Sequence, residues 1–258
     1  MSNFLNDNDI DVLSEKFQGA DPFDHIIIDN FLNEKLAKQL VEFFPRPEEK
    51  DWWQYDNPLE KKLAFNDIGQ LPTCFSHFFS YVNSPEFLTW LEKLTGISDL
   101  KSDPSLRGGG LHCIKRGGKL DVHQDFNIHK ELGMLRKVNL ILYLNENWQE
   151  EWGGHLELWD KDMTTLHHKI SPLFNRAVIF RTDTESNHGH PHSLTCPEDR
   201  TRISLATYYY LEDANIDNIP YRSTIYKKLP GSDDQLDELR DLRSKGRLSN
   251  MTTGKSNA

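Results

Sequence analysis

From about residue 105 to about residue 212 the chain is written in short apolar or alternating runs broken by glycines. The runs are Leu111 to Ile114, Val138 to Leu144, His155 to Trp159, Ala177 to Phe180 and Ile203 to Tyr210. Gly108-Gly109-Gly110, Gly117-Gly118 and Gly153-Gly154 punctuate them. Such runs are too short for helices and are bounded by turn residues, which is the signature of strands. Many short strands without long helices between them exclude a parallel α/β sheet and predict a sandwich or barrel.

The flanks read differently. Residues 1 to about 20 are polar and are expected to fray or form a short helix, and His25 to Ile28 reads as a strand. Asn33 caps a helix with Leu36, Leu40, Val41 and Phe44 on one face, and Pro45 and Pro47 stop it. Residues 50 to 80 are aromatic and irregular. A clearer helix has Ser84 at its N-cap, Pro85 in its first turn, Gly96 just past its end and a stripe of Phe87, Leu88, Leu91 and Leu94. Beyond Asp213 the chain turns polar; Leu236, Leu239 and Leu242 suggest one amphipathic helix, and the final SNMTTGKSNA is expected to be disordered. The expected organisation is therefore a mixed, largely helical region (1–104) packing on a β core (105–212), followed by a partly helical extension (213–258). With 258 residues, 37% of them hydrophobic, the chain can build a single substantial core.

Charge and cysteine usage narrow the function. A formal net charge of -10 repels nucleic-acid phosphates and anionic membranes, so neither is an expected partner. Cys74, Cys113 and Cys196 are odd in number and form no CxxC, which argues against a disulfide scaffold or a thiolate zinc site. The N-terminus carries no basic and apolar leader, and no apolar stretch approaches the roughly 18 residues of a membrane span. These features lead to the expectation of a soluble, cytoplasmic protein.

The chemistry centres on Leu120-Asp121-Val122-His123-Gln124-Asp125. Side chains two apart on a strand share a face, so His123 and Asp125 can offer an imidazole and a carboxylate to one metal. A triplet of this kind alone equally fits a surface pair. A third ligand candidate lies in Ser186-Asn187-His188-Gly189-His190-Pro191-His192. Two histidines and one carboxylate on an octahedral iron leave three positions open, the facial arrangement of non-haem Fe(II) oxygenases. Arg202 follows His188 by 14 residues and opens a strand-like run. An arginine pointing into a barrel demands an anion, and its planar fork suits a carboxylate.

The ordered motifs resemble a known family. His123-Gln124-Asp125-Phe126-Asn127, the run from Arg136 to Asn145, Trp152-Gly153-Gly154-His155-Leu156-Glu157-Leu158-Trp159, His188-Gly189-His190-Pro191 and the run from Arg202 to Tyr210 are together similar to the prolyl-4-hydroxylase-like branch of the 2-oxoglutarate/Fe(II)-dependent oxygenases. The resemblance covers about residues 105 to 212. It implies a mainly β fold with flanking helices, built on a double-stranded β-helix, or jelly roll. It implies iron held by His123, Asp125 and one distal histidine, Arg202 on the far carboxylate of 2-oxoglutarate, and Tyr143 touching that carboxylate. His188, His190 and His192 share parity on an extended strand, so alternation leaves the distal ligand open; the resemblance favours His188, with His190 next and also a candidate to line the pocket. Asn127 and Asn139 are weaker pocket-lining candidates. His129 is expected in a solvated loop, His167-His168 on a turn, His112 in a strand, and His155 on a wall or surface.

The activity implied is hydroxylation of an unactivated C–H bond, using O2 and releasing succinate and CO2 from 2-oxoglutarate, with ascorbate as a candidate reductant. Because Asp125 is present, hydroxylation is favoured over halogenation; desaturation and ring formation stay open. The substrate class is a prolyl residue, an amino acid or another small molecule. A cupin-like metal enzyme not using 2-oxoglutarate and a non-catalytic jelly-roll binding module are the competing readings. Arg202 weighs against the first, and the coexistence of the HxD pair with a distal histidine weighs against the second.

Overall fold

The computed structural model describes residues 4–5, 9–246 and the backbone of 252–253. In chain order the elements are α1 (Ile10–Gln18), β1 (His25–Ile28), α2 (Glu34–Glu42), β2 (Trp53–Asn57), β3 (Glu60–Phe65), α3 (Thr73–Val82) and α4 (Pro85–Thr95). The short β4 (Lys101–Ser102) precedes β5 (Gly110–Ile114), β6 (Lys119–Gln124), β7 (Ile128–His129) and β8 (Met134–Tyr143). Then come β9 (Leu156–Trp159), β10 (Leu166–Ile170), β11 (Arg176–Arg181), β12 (Asn187–His190) and β13 (Arg202–Leu211), and finally β14 (Ile225–Tyr226), α5 (Asp237–Ser244) and β15 (Thr252–Thr253).

Caps and stripes explain the helices. The Ser84 hydroxyl accepts the Phe87 N–H at 3.2 Å, Pro85 occupies the first turn, and Gly96 ends α4 in the left-handed conformation at φ 70°. Asn33 Oδ1 accepts the Leu36 N–H at 2.9 Å to start α2. In α1, Asp9 caps the first turn while Leu13 and Phe17 are buried.

The segment 50–80, irregular by sequence, holds the β2–β3 hairpin and α3. Asn57 Oδ1 accepts from the N–H groups of Leu59 and Glu60, an Asx turn that reverses the chain at Pro58. No side chain caps α3; buried Phe75, Phe78, Phe79 and Val82 hold it by packing, a signal invisible to a search for helix ends.

The strands form one curled, antiparallel sheet in the order β1-β11-β8-β13-β5-β3-β6-β12-β9-β10. β3 bridges the two halves, pairing with β5 through Leu63–Phe65 and with β6 through Glu60–Lys61. The result is a jelly-roll core: α1 to α4 cover its outer face through a large apolar cluster that includes Phe17, Leu40, Phe78, Leu91 and Leu140. Its interior packs Tyr143, Leu156, Leu158, Val178 and Phe180. β14 runs beside β6 and β15 beside β2, so the C-terminal segment joins the sheet at two places. In α5 the fully buried side chains are Arg240 and Arg243, while Leu239 and Leu242 are half-buried, so the anticipated leucine stripe is not its main buried face. The expected disorder of SNMTTGKSNA falls on residues that are mostly outside the described ones.

Candidate active site

β6 and β12 pair antiparallel with His188 directly opposite His123, and Asp125 lies just past the end of β6. Glycine makes this pairing possible. A Cβ at Gly189 would come within 2.8 Å of the Asp121 carbonyl oxygen and the Val122 Cα, so only glycine lets β12 lie so close to β6. The pairing slips between His188 and His190, so the two histidines do not reach the same place.

The side chains of His123, Asp125 and His188 converge: one ligand atom from each lies within 4.8 Å of the others. His123 Nε2 is 3.6 Å from Asp125 Oδ1, and His188 Nε2 is 3.7 Å from Asp125 Oδ2. Each imidazole donates its Nδ1–H to a carbonyl, His123 to Asp121 at 2.9 Å and His188 to Ser186 at 3.0 Å. That fixes the tautomer and leaves both Nε2 lone pairs facing the carboxylate. Asp125 Oδ2 is buried without a hydrogen-bond partner. A buried carboxylate oxygen with no donor, beside two imidazole lone pairs turned toward the same carboxylate, has room for a metal ion, and two nitrogens with one oxygen suit Fe(II).

The electrostatics favour the ligating forms. Burial alone would raise the Asp125 carboxyl, but Arg136, His123 and His188 outweigh it and hold it well below the usual carboxylate range. Burial, reinforced by His123, lowers His188 to about 4. His190 is also buried and held well below its ordinary value by burial and by Arg202, and neither of its ring nitrogens has a partner. It lines the chamber but is not among the converging ligand atoms.

A chamber of about 190 Å³ opens from this cluster and runs to Arg202. Arg202 is 4% exposed. Its Nε donates to the Gly154 carbonyl at 2.7 Å and its Nη2 to the Tyr143 hydroxyl at 3.2 Å. Among the described residues no carboxylate lies within 4 Å of it; burial lowers its pKa, with Tyr143 opposing. Gly154, at φ 74°, has its Cα so close that a Cβ would sit 2.8 Å from Arg202 Cδ. The Trp152-Gly153-Gly154 bend therefore makes room for the arginine as well as turning the chain.

Several chamber residues went unread in the sequence. Arg136 is clamped between the rings of Phe126 and Tyr208, at 3.7 and 3.6 Å, and its Nη1 is 3.0 Å from Asp125 Oδ1. Its Nε and Nη2 are buried without acceptors. The register of β8 against β13 shifts between Tyr209 and Tyr210, so the pairing skips Lys137. That bulge turns Arg136 onto the same face as Asn139 and Tyr143, where strict alternation would have placed Lys137. Lys62, His112, Ser204 and Tyr226 also line the chamber. Asn139 lines it too, whereas Asn127 donates to the Pro220 carbonyl and accepts the Arg222 N–H, tying down the C-terminal segment instead.

Three further histidines lie outside the chamber lining. His129, expected in a solvated loop, is fully buried 3.2 Å from Asp103, because β7 folds back on β8. His155 is buried and lies 2.8 Å from Glu150, and His168, on β10 rather than a turn, packs against His25.

The jelly roll thus places two histidines and a carboxylate suited to a metal at one end of a chamber, and at the other a buried arginine that has no counter-ion among the described residues. Residues 109–210 match the model of the 2OG-Fe(II) oxygenase superfamily, and the site suits the iron and 2-oxoglutarate of that family. The chain is 26% identical over 199 residues to the prolyl 3-hydroxylase OGFOD1 of Mus musculus, an alignment covering 74% of this chain and 33% of the mouse protein. It thus spans about a third of that relative's length. Its fold is similar to a Trichoplax adhaerens prolyl hydroxylase solved with a hypoxia inducible factor peptide (TM-score 0.57, 17% identity, 78% of this chain and 90% of the other). It is likewise similar to a Pseudomonas putida prolyl-4-hydroxylase (TM-score 0.54, 20% identity, 78% and 100%). No helix among the described residues is long and apolar enough to cross a membrane.

Proposed function

We propose that this protein is an Fe(II)- and 2-oxoglutarate-dependent dioxygenase that hydroxylates a C–H bond of a prolyl residue. The carrying observation is that the His123–Asp125–His188 cluster and the uncompensated Arg202 share one buried chamber. His123, Asp125 and His188 would hold the metal. Bound iron supplies activation of O2, coupled to decarboxylation of 2-oxoglutarate to succinate and CO2, with one oxygen atom entering the substrate and the other the succinate.

The chain's own residues have distinct tasks. Arg202 pairs with the far carboxylate of 2-oxoglutarate, and the Tyr143 hydroxyl, which accepts from Arg202, can turn its own proton toward the same carboxylate. Arg136 holds Asp125 ionised. Phe126 and Tyr208 fix that guanidinium and wall the chamber from water. A wider trough of about 530 Å³, lined by Trp53, Tyr55, Gly108, Phe126, Tyr221 and Thr224, shares residues with the chamber and suits a polypeptide rather than a free metabolite. The similarity to OGFOD1 and to solved prolyl hydroxylases supports proline as the target.

The test is succinate formation by anaerobically reconstituted protein, with and without proline-containing peptides, beside His123→Ala, Asp125→Ala and Arg202→Ala. Iron-dependent succinate that rises with a peptide and vanishes in all three variants is expected. Absence of both turnover and 2-oxoglutarate binding in the wild type overturns the reading and favours a cupin-like enzyme or a binding module.

A further inference from the structure

β14 does more than close the sheet. It pairs with β6 so that Tyr226 is opposite His123, while β12 places His188 opposite His123 from the other side. The three rings form one cross-strand row: His188 to His123 at 4.5 Å and His123 to Tyr226 at 5.6 Å between centroids. The Lys227 N–H donates to the Val122 carbonyl at 2.7 Å, and Arg222 and Asn127 are joined by reciprocal contacts of 2.7 and 3.2 Å. The segment therefore lies along the C-terminal half of the ligand strand, from Val122 to Gln124.

Two buried arginines of α5 lock it there. Arg243 Nη2 donates to Glu60 and, at 3.1 Å, to the Tyr226 hydroxyl. Arg240 binds Asp234 at 2.7 Å and lies 3.6 Å from Asp121, the residue whose carbonyl receives the His123 Nδ1–H. The phenol beside the His123 ring thus traces back to one short helix, whose Arg240 also lies near Asp121, a residue that Lys119 holds at 2.6 Å. Covering a sheet edge requires none of this; leucines would do it without the cost of desolvating two guanidiniums. Buried charge of this kind is best explained by the geometry it imposes on its neighbours.

We propose that Tyr226, latched by Arg243 and Glu60, is a positioning residue for the metal ligand His123, so that the C-terminal segment from Pro220 to Ser244 is an integral part of the metal site. The proposal rests on the iron-site reading above. An imidazole held in one rotamer before the metal arrives loses less freedom on binding, and removal of such outer supports typically weakens metal affinity about 10- to 100-fold.

The experiment titrates Co(II) into metal-free, full-length protein anaerobically and follows its visible absorption. Wild type, His123→Ala, Tyr226→Ala, Tyr226→Phe and Arg243→Met are compared, with metal-free melting curves as a check on folding. Tyr226→Ala is expected to weaken Co(II) binding about 10- to 100-fold, and Arg243→Met and Tyr226→Phe by about 10-fold or less, with the Co(II) band shape altered in each. For Arg243→Met, which lies outside the chamber lining, affinity for 2-oxoglutarate at saturating metal is expected to stay within about 3-fold. Wild-type affinity and band shape in folded Tyr226→Ala and Arg243→Met overturn the proposal while His123→Ala still reports on the iron site. If Tyr226→Ala does not fold, Tyr226→Phe and Arg243→Met decide by the same criteria. A wild type that binds no Co(II) removes the iron-site reading and this proposal with it.

Discussion

Replacing Arg202 by Met separates what this residue does for the fold from what it does for a ligand. In the folded protein Arg202 is desolvated, donates to Gly154 and Tyr143, and has no carboxylate partner among the described residues. Methionine relieves the desolvation but strands one carbonyl and one hydroxyl. These effects oppose, and a buried charge replaced by an apolar side chain of similar volume is often near neutral, so ligand-free stability should change by less than about 2 kcal/mol. The ligand side has no such cancellation. Two charge-assisted hydrogen bonds of about 1.5–3 kcal/mol each predict a loss of about 3–6 kcal/mol in 2-oxoglutarate binding, or about 10²- to 10⁴-fold in Kd. Titration calorimetry on the Mn(II)-loaded, oxygen-free protein measures the affinity. Thermal melts give a second readout, since ligand at about 100 times Kd stabilises wild type by about 2.7 kcal/mol and should leave the variant unmoved. Binding of 2-oxoglutarate by folded Arg202→Met within about 10-fold of wild type would refute the assignment.

Three further outcomes follow from particular contacts. Gly154→Ala puts a Cβ 2.8 Å from Arg202 Cδ at a φ of 74°, and should weaken 2-oxoglutarate about 10-fold or more while Mn(II) affinity, read by electron paramagnetic resonance, is retained. Burial, followed by the charges of Lys62 and Arg202, lowers His112 from 6.5 to about 3. Its native value lies below its unfolded one, so its contribution to stability is present above about 6.5 and is lost as pH falls toward 3; His112→Gln should reduce the slope of unfolding free energy over that window by up to about 1.4 kcal/mol per pH unit in urea titrations. Asn175 joins β11 to the segment before α2, its side chain accepting the Leu32 N–H at 2.9 Å and donating to the Leu32 carbonyl at 2.8 Å. Asn175→Ala should cost about 3 kcal/mol, seen as a lower urea midpoint with an unchanged m-value, because two buried hydrogen bonds to the Leu32 backbone are lost and the position sits at φ 56°.

By itself the sequence determined the parts whose signal is local. Strand periodicity put His123 and Asp125 on one face, glycine-bounded runs indicated an antiparallel sheet, and caps at Asn33 and Ser84 located α2 and α4. Local spacing could also nominate Arg202 and three distal histidines, because a buried cation and an ordered set of ligands are statements about residue type and parity. Only the tertiary structure brought His188 opposite His123 and left His190 on the chamber wall, since that follows from a register shift at Gly189. It alone turned Arg136 inward, through a bulge at Lys137 that breaks the alternation on which a sequence reading depends. It also carried Tyr226 back to β6 and Arg243 to Glu60 of β3, from a distant polar stretch whose leucines pointed to a different buried face. Pairings between distant strands leave no periodic trace in either partner. They are decided by which edge is free once the rest of the sheet has closed.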